Sequence, residues 1–171
     1  DSISLAKIVL EEIPAIPKDS WFMDVCAGCG VVGLEIIKTI NQKINFDFLE
    51  IQKDFSPFFY KNLNFVGEKR DFCHFHNIDF REFPTDRKYS VIVSNPPYFV
   101  PGHGRFGEDI RTNKCRFFLE GSYVELFRFF KKVLLPEGKA FVLFRETQKK
   151  DSEIFETFKK EFNDFFDFKK V

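Results

Sequence analysis

The sequence predicts an α/β chain, a doubly wound, mostly parallel sheet with helices on both faces, and three observations predict it. Short apolar runs alternate with amphipathic helical segments along the 171 residues, the pattern of parallel βαβ units. A glycine-rich turn carrying Gly28, Gly30 and Gly33 joins the first run directly to a helical segment. Polar side chains, Asp24, Glu50, Asp79 and Asn95, stand at or just beyond the ends of successive runs. In an open parallel sheet those ends share one edge, which is where ligands bind.

Each element has its own local reason. Residues 2–12, "SISLAKIVLEE", space apolar side chains at helical intervals behind Asp1, and Pro14 follows soon after; that spacing predicts a helix. "WFMDVC" reads as a short buried strand, and "VVGLEIIKTI" as a helix leaving the glycine turn. "INFDFLE" is a second strand. "DFSPFFYKNLNF" is a helix in which Pro57 is tolerated because it falls in the first turn. "DFCHFHNI" and "YSVIVS" are strands three and four, and a long loop spans 95–121. "SYVELFRFFKKVLL" is a helix that Pro136 and Gly138 stop, "KAFVLFR" a fifth strand and "DSEIFETFKKEF" a final helix. The chain lacks an initial Met and ends in "FFDFKKV", which reads as the start of a strand, so residues 1–171 read as one domain trimmed at both ends.

Composition narrows the class. With 26 basic and 26 acidic residues the net charge is zero, so any nucleic-acid surface must be a local patch rather than the whole protein. The 26 Phe residues stand largely where Leu would fill a core. Cys26, Cys29, Cys73 and Cys115 are too few and scattered for a disulfide scaffold. Cys26 and Cys29 make a C-x-x-C inside the glycine turn, and the only other candidate ligands, Cys73, His74 and His76, alternate along a strand; no metal is expected. No apolar run has membrane length and no signal-peptide pattern is visible, so a cytoplasmic location is expected.

Gly28, Gly30 and Gly33 spell G-x-G-x-x-G, and Glu50 follows Gly30 by 20 positions, the spacing of a dinucleotide fingerprint. Asp24 argues for a different ligand. A carboxylate beside the loop repels a pyrophosphate, whereas S-adenosylmethionine has no phosphate and carries a sulfonium and an ammonium. Glu50 can accept both ribose hydroxyls of either cofactor. Asp79 can accept a hydrogen bond from the adenine amine, or can simply cap a turn or helix. These residues, Asp24, Gly28, Gly30, Glu50 and Asp79, with Asn95, form the expected cofactor site.

"SNPPYF", residues 94–99, names the chemistry. Two prolines end a strand, and a rigid turn would explain them alone. It would not explain the Asn before them or the aromatics after. Pro96 and Pro97 fix the backbone so that the Asn95 side-chain oxygen and the Pro96 carbonyl can accept both hydrogens of one planar NH₂, with Tyr98 stacked on the attached flat group. Holding a delocalised nitrogen in line with a methyl carbon favours displacement without a strong base. Asn95, Pro96 and Tyr98 are thus the catalytic candidates, and Pro97 and Phe99 substrate contacts.

On these residues the chain resembles the Rossmann-like S-adenosylmethionine-dependent amino-methyltransferases. "DVCAGCGVVGL" is similar to their first motif, except that Cys26 replaces the usual first Gly. Within them it looks most like the bacterial tRNA adenine-N6 methyltransferases that modify valine tRNA. "DSISLA" resembles their opening segment over the cofactor, "EIQKDFSPFFYKNLNF" their Glu-Ile-Gln and Asn-bearing helix, and Arg111 and Arg116 a basic pair after the catalytic loop, with Cys115 replacing a usual Ala. The resemblance implies methyl transfer to the exocyclic amine of adenine in RNA, most simply a single-stranded tRNA loop, whose bases need not be unstacked from a duplex. The glycines and cations between Pro101 and Arg116 suit either a phosphate-gripping lid or an ordinary solvated loop, since Glu108 and Asp109 offset them. Two other readings stand beside this one: methylation of a protein glutamine, as in release-factor methyltransferases that share N-P-P-Y, and a dinucleotide-binding or non-catalytic cofactor module.

Overall fold

The computed structural model describes residues 1–13, 15–16, 19–97, 123–144 and 149–166. Strands Trp21–Val25 (β1), Asn45–Leu49 (β2), Cys73–His76 (β3), Tyr89–Ser94 (β4) and Leu134–Val142 (β5) form one sheet in the order β3-β2-β1-β4-β5. Every neighbouring pair is parallel. The order reverses between β1 and β4, the switch point at which doubly wound sheets leave a crevice. The helices are Ser2–Glu12 (α1), Val31–Thr39 (α2), Ser56–Leu63 (α3), Tyr123–Val133 (α4) and Lys149–Phe162 (α5), with 3₁₀ turns at Lys53–Phe55 and Asn64–Phe72.

The chain divides into two units, Asp1–Pro96 with Lys132–Leu143, and Pro97–Lys131 with Phe144–Val171. The sheet and the first three helices lie in the first. Along β1, β2 and β4 the side chains alternate, so Phe22, Phe46, Phe48, Val91 and Val93 share one face and pack with Leu5, Ala6 and Val9 of α1, Ile36 and Ile37 of α2 and Phe59 of α3. Phenylalanine does here what leucine usually does. The Phe46 and Phe48 rings stack at 4.7 Å, and Phe48 meets Phe59 at 4.8 Å. The α2 helix closes down tightly because Gly33 has no side chain: a Cβ there would lie 2.4 Å from Phe48. Lys69 reaches back from the 3₁₀ segment to the carbonyls of Ile37, at 2.8 Å, and Ile40, satisfying groups that the end of α2 leaves unpaired.

The opposite face carries a polar cluster inside an otherwise apolar sheet. Asp47 of β2 is fully buried and accepts hydrogen bonds from His76 Nε2 at 2.7 Å, Tyr89 Oη at 2.7 Å and Arg87 Nη1 at 3.0 Å. Burial alone would raise its pKa, but these three partners, His76 first, hold it below the ordinary carboxylate value. Arg87 lies over the Trp21 ring, 3.6 Å from its centre, and Trp21 stacks on His74. In the second unit, Phe127 of α4 packs on Phe162 of α5 at 5.6 Å, and Arg128 pairs with Glu161 at 2.8 Å.

Several boundaries differ from those the sequence suggests. The fifth strand begins at Leu134, directly after α4, and runs through Pro136 and Gly138 rather than starting beyond them. An edge strand tolerates a proline that a central strand would not. The register there slips, from Tyr89 opposite Leu134 to Val91 opposite Lys139. The third strand is confined to Cys73–His76, because residues before it wind into the 3₁₀ segment kinked at Gly67, φ 59°. The strand read into "FFDFKKV" lies mostly outside the described residues, and 163–165 form a turn. No described helix is long and apolar enough to cross a membrane.

Candidate active site

Strand register brings the polar candidates to one edge. Val25, Leu49 and His76 are cross-strand partners, and Val25 also faces Ser94. Asp24 is therefore one residue inside the end of β1, while Glu50 and Asn95 come just after β2 and β4. The ladder continues briefly past the strands. Ala27 donates its N–H to the Leu49 carbonyl at 3.0 Å, Glu50 to that of His76 at 3.0 Å, and Ile78 to that of Glu50 at 3.1 Å. Asn77 adds a side-chain bond to the Glu50 carbonyl at 2.8 Å. These bonds tie the segment bearing Glu50 into the sheet.

The glycine turn is shaped by carboxylates. Asp24 is 1% exposed, and its Oδ2 accepts the Gly33 N–H at 3.0 Å. That N–H lies in the first turn of α2, where backbone donors have no helical acceptor. Glu50 accepts the Gly28 N–H at 2.7 Å with one oxygen and the Gln52 N–H at 2.8 Å with the other. Asn62 of α3 donates to the Cys29 carbonyl at 3.0 Å. Gly30, at φ 80°, caps α2 in the left-handed region, and a Cβ there would strike the Phe59 ring at 2.7 Å. Gly28, at φ 55°, differs: a Cβ on it would meet nothing within 4 Å. Gly28 borders open space, so a ligand can approach its backbone.

Cys26 adopts φ 60° although it is not glycine, a conformation that costs an L-residue roughly 1–2 kcal/mol. Burial, then Glu50, Asp24 and Asp79, push its thiol pKa up, which favours the neutral thiol.

Electrostatically the site favours a cation. Burial raises the Asp24 pKa to about 7, against the lowering effect of the Gly33 bond, and Glu50 raises it further. Burial also raises Glu50, while the N–H groups of Gln52 and Gly28 oppose it. Two buried carboxylates with reluctant charges suit a ligand bringing positive charge and hydroxyl donors. Asp79 is engaged differently. Its Oδ1 accepts the Arg81 N–H at 2.9 Å, and its carboxylate pairs with the Arg81 guanidinium. Burial would raise its pKa, but the bonds from Arg81 hold it below the ordinary range. It thus makes the turn that the sequence offered as its other role, without deciding between the two.

Asn95 follows β4 directly and donates from Nδ2 to Ser2 Oγ of α1 at 2.8 Å. Ser94 beneath it donates to the Val25 carbonyl at 2.7 Å, and its own carbonyl accepts the Leu143 N–H at 2.9 Å. Pro96 is buried. In the second unit Tyr123 Oη donates to the Pro97 carbonyl at 3.2 Å. Tyr98, Phe99, Arg111 and Arg116 lie outside the described residues. Ser2 and Asn62 touch this edge but were not singled out from the sequence. Their only signal was position, one in the opening segment and one in the helix after Glu50. Among the described residues no group of three or more His, Cys, Asp or Glu side chains could hold a metal ion.

A glycine turn after β1, two buried carboxylates and Asn95 just after β4, at the switch point of a doubly wound sheet, suit a methyltransferase fold. The chain belongs to the methyltransferase small domain family, which matches residues 5–163. It is similar to the tRNA1(Val) (adenine(37)-N6)-methyltransferase of Tolumonas auensis, 29% identical over 68% of this chain and 48% of that one. It is also similar to the release factor glutamine methyltransferase of Leptospira interrogans, 26% identical over 55% of this chain and 33% of that protein. The chain thus spans about half the length of the tRNA methyltransferases it matches. Among solved structures, the glycopeptide N-methyltransferase MtfA complexed with S-adenosylmethionine shares the fold, with a TM-score of 0.57, 16% identity, and 82% and 53% of the two chains covered.

Proposed function

We propose that residues 1–171 form one S-adenosylmethionine-dependent methyltransferase domain that methylates the exocyclic amine of adenine in RNA, most simply in a tRNA loop, in the cytoplasm. The observation that carries this reading is Asn95 held at the end of β4, one strand from the glycine turn. The cofactor supplies an electrophilic methyl on a sulfonium. The chain supplies everything else. Glu50 orients the ribose hydroxyls, Gly28 admits the ligand to the backbone, and Asp24 holds the turn and offsets positive charge. Asp79 meets the adenine amine from within its Arg81-bonded turn. Asn95 and the Pro96 carbonyl accept the two N–H bonds of the acceptor amine, Tyr98 stacks on its ring, and Pro97 and Phe99 line its approach. Held by Asn95 and the Pro96 carbonyl, the acceptor nitrogen would take the methyl that the bound cofactor supplies and release one proton to water. No metal enters this scheme.

The Leptospira relative favours a second reading, transfer to a protein glutamine amide. Both acceptors present a planar NH₂, so the Asn95 chemistry is common to them. Supplying labelled S-adenosylmethionine with tRNA in one reaction and release factors in another separates the two.

Asp24 makes cofactor binding pH-dependent. Its folded pKa of about 7 lies above the ordinary 3.8, so its contribution to stability is complete below that ordinary value and lost as pH rises through about 7. A cationic ligand favours the ionised form. Affinity for S-adenosylmethionine is therefore expected to fall as pH drops below about 7, by up to roughly tenfold per pH unit. Calorimetry across pH 5–8 measures this, and Asp24→Asn should flatten the profile. A wild-type affinity independent of pH would remove Asp24 from the cofactor's charge balance.

Arg111 and Arg116 are assigned to RNA phosphates. Replacing both with Ala should weaken tRNA binding and reduce the slope of affinity against salt by about two phosphate contacts, leaving cofactor affinity unchanged. An unchanged salt slope would make the loop an ordinary surface.

A further inference from the structure

We infer that Ser2 is a positioning residue for the transfer step, acting through Asn95; the inference rests on the methyltransferase reading above. An amide side chain is planar, with its oxygen and its NH₂ group on opposite sides. The reaction uses the oxygen, as acceptor for the amine of the substrate. A 180° flip would present a donor to a donor and repel that amine. The structure holds the NH₂ end away from that role, with Asn95 Nδ2 donating to Ser2 Oγ at 2.8 Å. With the NH₂ end bonded at Ser2, the oxygen lies on the other side of the amide.

The anchor is stiff enough for the task. Ser2 is the first residue of α1, whose Leu5, Ala6 and Val9 are buried in the main core. The far end of the same helix is tied to the sheet edge, where Lys139 of β5 donates to the Glu12 carbonyl at 2.7 Å. Asn95 is fixed from below by Ser94, bonded to β1. The contact joins residues 93 apart in sequence, so the helix is built into the reacting edge as well as the core. Such a group changes the rate and leaves binding alone, because it sets the geometry of an acceptor that works only as the transition state forms.

Ser2→Ala is expected to lower kcat roughly tenfold, the scale of a misplaced positioning group. KM for tRNA and the dissociation constant for S-adenosylhomocysteine should stay at wild-type values, and Ser2→Thr, which keeps the hydroxyl, should restore the rate. In an Asn95→Ala background Ser2→Ala should cause no further loss, since the group it orients is gone. Full activity of Ser2→Ala beside an impaired Asn95→Ala would overturn the role of Ser2 and leave the methyltransferase reading intact. An undiminished loss in the Asn95→Ala background, or a weakened cofactor affinity, would make Ser2 merely structural. Wild-type protein that methylates neither tRNA nor release factor would remove the parent reading and the inference with it.

Discussion

Asn95→Ala should reduce turnover by roughly 10²-fold or more, the usual loss when a preorganised polar contact to the transition state is removed. The acceptor nitrogen is a poor nucleophile because its lone pair is delocalised into the ring. On the proposed mechanism the lone pair is drawn into the forming carbon–nitrogen bond, and the Asn95 oxygen would then accept from an N–H of growing acidity. Such an interaction would strengthen towards the transition state and so would appear in kcat. Cofactor affinity should persist, because the Gly28 and Gln52 bonds to Glu50 are untouched. Tyr98→Ala should act on substrate affinity instead, through about 1–3 kcal/mol of lost stacking, while Tyr98→Phe should be mild. Asn95→Asp is the finer probe, since a carboxylate accepts hydrogen bonds but cannot donate to Ser2. Single-turnover rates with saturating cofactor read all three. A wild-type rate for Asn95→Ala would reduce Asn-Pro-Pro-Tyr to a turn.

The second large effect is on stability. Asp47→Ala should destabilise the fold by about 3 kcal/mol, at the lower end for breaking a buried ionic cluster. The low end applies because Arg87 and His76 are partly exposed and can turn to water. Tyr89 cannot. It is fully buried with its hydroxyl on Asp47, and an orphaned buried donor costs about 1–3 kcal/mol. Tyr89→Phe combined with Asp47→Ala should therefore recover part of the loss. Because the Asp47 pKa is lowered in the fold, its contribution is present above the ordinary carboxylate value and lost as pH falls through the folded one. Urea unfolding at neutral pH and in acid measures both effects. Wild-type stability in Asp47→Ala would mean that the cluster contributes nothing net.

Much of the fold was legible because its signals are local. Alternating apolar runs gave the strands, and the glycine turn gave the junction of β1 with α2. The close packing of Gly33, where a Cβ would lie 2.4 Å from Phe48, was not legible, because it depends on which face of β2 meets α2. Strand five was misjudged because Pro136 and Gly138 break a helix in any context, whereas their tolerance in a strand depends on its lying at the edge. The site followed the same division. That Asp24, Glu50 and Asn95 share one edge was legible because strand ends are visible in sequence and parallel sheets align them. Ser2 and Asn62 were missed because their partners, Asn95 and the Cys29 carbonyl, are distant in the chain. The Asp47 cluster was missed for the same reason: a carboxylate between two phenylalanines says it needs partners, but not that they come from β3 and β4.

The most direct test is to incubate the protein with methyl-labelled S-adenosylmethionine and unfractionated tRNA, then digest the RNA to nucleosides and separate them. The account predicts label in N6-methyladenosine, absent when Asn95 is replaced by Ala. Label on no nucleoside, with transfer instead to release-factor glutamine or to nothing supplied, would contradict it.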